Sequence, residues 1–242
     1  MTNLSEQIYA VLTKRKYNRG EPHLKSELRG VIDAFIDRGE PVKLVGFWGT
    51  GPKAKSNWAD TATCEFLAAL NTEVKAVYSY GIEFTFIFAT FHGIHNGYEK
   101  FVISSYVRDM GRIFNGFGFK YLYLDALWKK YGISFEKIDM LLNQKPTGWW
   151  AAIENREVIE KNAQTRNKRL PANIAAQKYY VMRDLEKEML EKEFGGYIFH
   201  AFSDPDLKNV LPEMPTLYLY ARKSRSSAPW FVTEEKPQGV EL

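Results

Sequence analysis

Two short apolar runs, PVKLVGFWG at 41–49 and EFTFIFAT at 83–90, constrain the fold more than any other feature of the chain. The first ends in glycine, the pattern of a buried strand leading into a loop. In the second, β-favouring residues alternate, with Phe84, Phe86 and Phe88 on one face and Thr85, Ile87 and Ala89 on the other, so it reads as a strand buried on both sides. Between them the loop TGPKAKS at 50–56 is rich in small and basic residues. Asn57 is then placed to cap a helix that carries Trp58, Ala62, Phe66, Leu67 and Leu70 on one side.

The rest of the chain repeats this alternation. The first forty residues read as two helices; in the second, over 24–37, Leu24, Leu28, Val31, Ile32, Phe35 and Ile36 form one stripe and Gly39 stops it. After a glycine-rich loop, helical patterns over 104–114 and 134–142 bracket a β-like FKYLYL at 119–124. Charge-laced helices are expected over 147–161 and 171–193, Pro171 suiting a first helical position. Two β-like segments, YIFHAF at 197–202 and TLYLYAR at 216–222, follow on either side of a Pro/Asp-rich connection, and the tail beyond 237 is expected to be loose. Strands alternating with helices imply a single α/β domain over 1–242, with a mainly parallel central sheet and helices on both faces. Ligands of such sheets bind beyond the carboxyl ends of the strands.

Composition narrows the function classes. Thirty-three basic against twenty-nine acidic residues, a net charge of +4, is too balanced for the broad basic stripe of a nucleic-acid binder. The short basic clusters at 166–169 and 222–225 read as solvated loops or anion contacts. No apolar run reaches membrane-spanning length. The lone Cys64 cannot form an internal disulfide and no basic-then-apolar leader opens the sequence, so a reducing, cytoplasmic location is expected, with room for a homodimer. Six Trp, fourteen Tyr and sixteen Phe serve either bulky core packing or a ring-lined pocket for a planar ligand.

The chain has no G-x-x-x-x-G-K-[ST], G-x-G-x-x-G or G-x-S-x-G signature and no cysteine pair with zinc spacing. Gly49, Gly51 and Lys53 resemble a fragment of a phosphate loop without its full spacing, and a surface turn explains them more simply. The histidines are more informative. His92 and His95 (FHGIHNG) fall just past the second apolar run and His200 ends a later one, while only His23 lies elsewhere. Imidazoles gathered at one sheet edge suit borderline divalent metals. Asp204 follows His200 by four residues, and Glu154 borders the apolar face of a helix. The set His92, His95, Glu154, His200 and Asp204 has the mixture of imidazole and carboxylate that a pair of iron or manganese ions requires, with Glu157 or Asp206 able to replace a member. The plainer alternative is a solvated Glu154, an Asp204–Pro205 turn and histidines that hydrogen-bond within loops.

Around 41–70 and 217–231 the chain resembles the isonitrile synthase family, also called the pyoverdine/dityrosine biosynthesis family. The matching pieces are the first strand, the Lys-bearing loop GTGPKAKSN, the helix with Asp60 and Glu65, the strand after Tyr80-Gly81, and Ala228-Pro229-Trp230-Phe231. The resemblance implies the conversion of a tryptophan or tyrosine amine to an isonitrile with a sugar phosphate as carbon donor. The chain departs from the family in being shorter and in carrying Thr-Phe-His-Gly at 90–93 where an Asp-Gly pair is expected. With these histidines and the late HAFSD at 200–204 it is more similar to the non-haem diiron nitrile synthases of aetokthonotoxin-type biosynthesis. That likeness implies two Fe(II) ions, dioxygen as co-substrate and an aromatic amino acid, brominated tryptophan, converted to indole-3-carbonitrile. On this reading Lys53 or Arg222 pairs with the substrate carboxylate and Trp149, Trp150 and Phe91 supply an aromatic wall. Two alternatives stand beside it: a metal-free isonitrile synthase using Lys53 or Lys55 and Glu65 on ribulose 5-phosphate, and a non-catalytic binder of an aromatic metabolite.

Overall fold

The structure, a computed structural model, describes residues 3–202, 205–221 and 228–234, the side chains of 205, 206 and 208 excepted. Its centre is a five-stranded, wholly parallel sheet in the order β3-β2-β1-β4-β5. The two apolar runs form the middle of it: β1 (Val42–Trp48) pairs with β2 (Ile82–Phe88) in register from Val42 opposite Ile82 to Trp48 opposite Phe88. On its other side β1 meets β4 (Ile198–Ala201), with Gly46 opposite His200. The strands β3 (Lys120–Tyr123) and β5 (Thr216–Tyr218) close the two edges.

Side-chain alternation along these strands feeds two cores. Phe84, Phe86 and Phe88 of β2 join Leu44 and Trp48 beneath α1 (Leu4–Leu12), α2 (Lys25–Arg38), α3 (Trp58–Lys75) and α5 (Lys100–Phe117). Ile87, Val45 and Phe199 point the other way, toward α6 (Leu124–Tyr131), α7 (Phe135–Asn143) and α9 (Ala172–Phe194). The sheet is therefore covered by helices on both faces, as the alternating pattern predicts. Local signals hold as well. Asn57 caps α3, with Asp60 closing a capping box, and Gly39 ends α2 in the left-handed conformation at φ 63°.

Three segments differ from expectation. The residues after β2, read as a glycine-rich loop, form a short helix, α4 (Thr90–His95). The expected helix over 147–161 is two pieces, a 3₁₀ turn at Trp149–Ala152 and α8 (Arg156–Arg166), because Asn155 between them takes a left-handed φ of 57° that no helix interior accommodates. The helix α6, which follows β3 directly, has no counterpart in the pattern reading. Among the described residues no helix is long and apolar enough to cross a membrane.

Candidate functional site

The strand order changes direction at β1: its successor β2 lies on one side and β4 on the other, which leaves a crevice above their carboxyl ends. A cavity of about 370 Å³ occupies this place. Its floor is the end of β1 and β4, from Gly49 and Thr50 to Ala201 and Phe202; α4, α8 and α9 supply the other walls. Among the described residues the aromatic lining consists of Phe47, Tyr179, Phe199, Phe202, Trp230 and Phe231.

Gly49 and Gly51 belong to this packing. A Cβ on Gly49 would stand 2.2 Å from the Trp230 indole, and one on Gly51 2.3 Å from the Trp230 carbonyl oxygen. The two glycines thus let the segment Pro229–Phe231 lie against the end of β1, a role distinct from cradling a phosphate.

His92, His95 and His200 all line the cavity. His92 and His95 sit one helical turn apart on α4, and the ring of Tyr179 faces both, at 5.8 and 6.4 Å between centroids. Each has its Nε2 on an acceptor. The His92 Nε2 lies 3.0 Å from both carboxylate oxygens of Glu186, and the His95 Nε2 lies 3.1 Å from the carbonyl oxygen of Ala175. Because those partners only accept, each Nε2 carries the proton and a neutral ring keeps its lone pair on Nδ1. Burial, helped by the neighbouring His92, lowers the His95 pKa to about 4, so that ring is neutral at pH 7.

His200 is set differently. Its ring stands among Phe84, Phe86 and Phe202, on the opposite face of the sheet from Phe47, against which His92 packs. It is buried, among the described residues neither ring nitrogen has a hydrogen-bond partner, and burial brings its pKa down to about 3. The ring fits because residue 46 is glycine: a Cβ there would meet the His200 ring at 2.5 Å.

Two site residues escaped the sequence reading. Glu186, wholly buried on α9, accepts hydrogen bonds from Trp128 Nε1 at 2.9 Å and Arg183 Nη1 at 2.5 Å as well as from His92. Burial raises its carboxyl pKa, but His92, Arg183 and Trp128 together outweigh that and hold it below the ordinary value. Arg183 in turn donates from Nε to the Val210 carbonyl and lies over the Phe47 ring. A signal existed. Position 186 falls on the same helical stripe as Ala175, Tyr179, Met182 and Met189, where an acid needs a buried partner.

Of the remaining candidates, those that the structure describes do not line the cavity. Glu154 is exposed, in the turn before α8, and its carbonyl accepts from Asn209. Glu157 is exposed and pairs with Arg156. Lys53 donates to Asn57 Oδ1, Asp60 Oδ2 and the Pro229 carbonyl at 2.9, 2.6 and 2.8 Å, so all three of its N–H groups have partners. Trp149 and Trp150 pack on Tyr180, and Phe91 packs on Trp128 and Phe135. Asp204, Arg222 and the side chain of Asp206 lie outside the described residues. Cys64 is buried and free, its thiol pushed up by burial.

For a metal, the imidazole part of this arrangement is suitable: a ligating histidine typically donates its second nitrogen to a carboxylate or backbone carbonyl, as His92 and His95 do. The carboxylate part is incomplete. Among the described residues no three of His, Cys, Asp and Glu cluster closely enough to hold an ion.

No family model matches the chain, and no curated protein matches its sequence. Solved structures do match its fold. The PvcA protein from Pseudomonas aeruginosa superposes with a TM-score of 0.67 at 16% identity, over 94% of this chain and 87% of that one. The tyrosyl-tRNA synthetase from Archaeoglobus fulgidus, complexed with L-tyrosine, matches with a TM-score of 0.51 at 13% identity, over 89% of this chain and 63% of its own. A Leishmania major tyrosyl-tRNA synthetase in complex with tyrosinol gives 0.50 at 14% identity, over 86% and 28%. The chain thus shares its α/β fold with the PvcA protein and, more loosely, with tyrosyl-tRNA synthetases.

Proposed function

We propose that this protein is a biosynthetic enzyme acting on an aromatic amino acid, and that its reaction is the iron- and dioxygen-dependent conversion of the side chain of tryptophan, or of brominated tryptophan, to a nitrile. The reading follows the diiron nitrile synthase of aetokthonotoxin biosynthesis. One observation carries it: His92 and His95, side by side on α4, each have Nε2 engaged by an acceptor, and His95 is a neutral ring at pH 7. Bound iron would supply the activation of dioxygen. His92 and His95 would hold it through Nδ1, with Asp204 as a proposed carboxylate ligand.

The chain's own part is to bind and orient. Phe47, Tyr179, Trp230 and Phe231 offer ring faces to an indole. Glu186 holds the His92 proton on Nε2, which fixes the tautomer. The likeness of fold to a synthetase complexed with L-tyrosine is consistent with an aromatic amino acid in this crevice.

Iron analysis and turnover test the proposal together. Protein loaded with ferrous ion under oxygen is expected to convert tryptophan or a brominated tryptophan to the indole carbonitrile, identified against an authentic standard because the isonitrile has the same mass. The H92A/H95A variant should lose both iron and turnover. Protein that binds no iron and is inactive with ferrous ion and oxygen would sink the reading. The likeness to PvcA favours a second one, a metal-free isonitrile synthase, and product formation that depends on ribulose 5-phosphate would establish it.

A further inference from the structure

We propose that Arg166 is the carboxylate receptor of this cavity, so that the ligand is recognised as an amino acid, or an aryl-alkanoic acid, and not merely as an aromatic ring. The inference rests on the aromatic-ligand reading above and adds the residue that selects for the acid.

Among the described residues three arginines line the cavity. Arg183 is fixed by Glu186 and the Val210 carbonyl, and Arg19 lies over the ring of Tyr220 with its centre 4.2 Å away. Arg166 differs. It is the last residue of α8, and its guanidinium carbon lies 4.9 Å from the centre of the Phe231 ring. Among the described residues its guanidinium has no carboxylate and no hydrogen-bond acceptor; the ionisable groups that act on it are the phenols of Tyr98 and Tyr179. Burial lowers its pKa, and only the phenols of Tyr179 and Tyr98 oppose the shift.

A guanidinium has five N–H donors in a planar fork, and a partly buried one without an anion carries an uncompensated desolvation cost. The negative end of the α8 dipole favours a cation in the last turn. That accounts for a basic residue at this position, but not for one that lines the cavity beside Phe231. A carboxylate fills the fork with two parallel charge-assisted hydrogen bonds. Tyr179 relates this point to the histidines, since it neighbours Arg166 and also faces His92 and His95. A carboxylate seated on Arg166 would bring its α-carbon beside Tyr179, between the guanidinium and the imidazoles.

Binding of ligand analogues to the full chain separates acid recognition from ring recognition. The probes are L-tryptophan, indole-3-propionate, which lacks the amine, and tryptamine, which lacks the acid, each titrated by calorimetry. The unmodified protein is expected to bind the two acids roughly tenfold to a hundredfold more tightly than tryptamine, the range for charge-assisted hydrogen bonds. R166Q should abolish that preference and leave tryptamine affinity unchanged, and R166K should restore part of it. Equal affinity for acid and amine, or a preference that survives in R166Q, would overturn the assignment of Arg166 and leave an aromatic site intact. If none of the three probes binds, the aromatic-ligand reading falls and this inference falls with it. The comparison of ligands on the unmodified protein tests the acid preference even if R166Q does not fold.

Discussion

Glu186 is the residue whose removal the fold should tolerate least. Its carboxylate is wholly buried and joins Trp128, His92 and Arg183, the last also buried and with no other acid among its hydrogen-bond partners. Taking away one partner of such a pair leaves the other charge stranded in a dry interior, at about 3–5 kcal/mol, whereas replacing both with apolar groups of similar volume is often close to neutral. E186A is therefore expected to lose about 3–5 kcal/mol in urea unfolding, and R183M/E186L much less. If E186A matched the parent protein, the network would be ornamental. The buried pair was visible in the sequence only as charges on a helix, because the helical stripe tells which face is buried and says nothing of which buried charges meet.

Polar ties also join elements to one another, as Glu73 of α3 shows. It accepts from Lys14, Lys16 and Tyr17, in the segment that follows α1. Those bonds lower its pKa from 4.5 to about 2. The folded state thus holds the ionised form more strongly than the unfolded chain does. The stabilisation is complete above the ordinary carboxylate value and disappears as pH falls through the folded one. Thermal unfolding of the parent protein should fall steeply between pH 4.5 and 2, and E73Q, less stable at pH 7, should show a shallower limb over the same interval. Identical limbs would mean that the contact does not persist in solution.

At this scale the sequence was most informative where a period extends over a whole element. The burial of β1 and β2, the Asn57 cap and the stop at Gly39 all follow from local pattern. The break at Asn155 was not legible: asparagine fits a helix pattern, and only its left-handed backbone divides the segment. Nor was α4, since six residues containing a glycine offer too short a window for periodicity.

For the molecule as a whole, the alternation of strands and helices implies a crevice at the carboxyl edge, and the cavity occurs there. What local pattern could not supply is the wall brought from the far end of the chain. Phe47 comes from β1, whereas Trp230 and Phe231 come from residues some 180 positions later, Trp230 packing against Trp48 at 5.7 Å. A buried polar relay holds that distant segment in place. Trp48 Nε1 donates to the Tyr106 hydroxyl, which donates to Asp60 Oδ1; Lys53 joins Asp60 Oδ2 to the Pro229 carbonyl. The Lys53 side chain is 9% exposed and that of Asp60 0%, so the pair lies beyond the reach of solvent screening. Replacing Lys53 with alanine leaves Asp60 to Tyr106 and the Asn57 amide, and frees the Pro229 carbonyl. K53A is expected to lose about 3–5 kcal/mol in urea unfolding, the range for stranding a buried charge. Because Trp230 and Phe231 follow the freed carbonyl directly, the same change should loosen the cavity wall: tryptophan fluorescence shifts to the red in the still-folded protein, and affinity for indole ligands falls even where Arg166 is intact. A variant that loses stability but keeps its emission maximum and its indole affinity would show that Lys53 serves Asp60 alone, and that Trp230 is held by its ring contacts with Trp48 and Phe202.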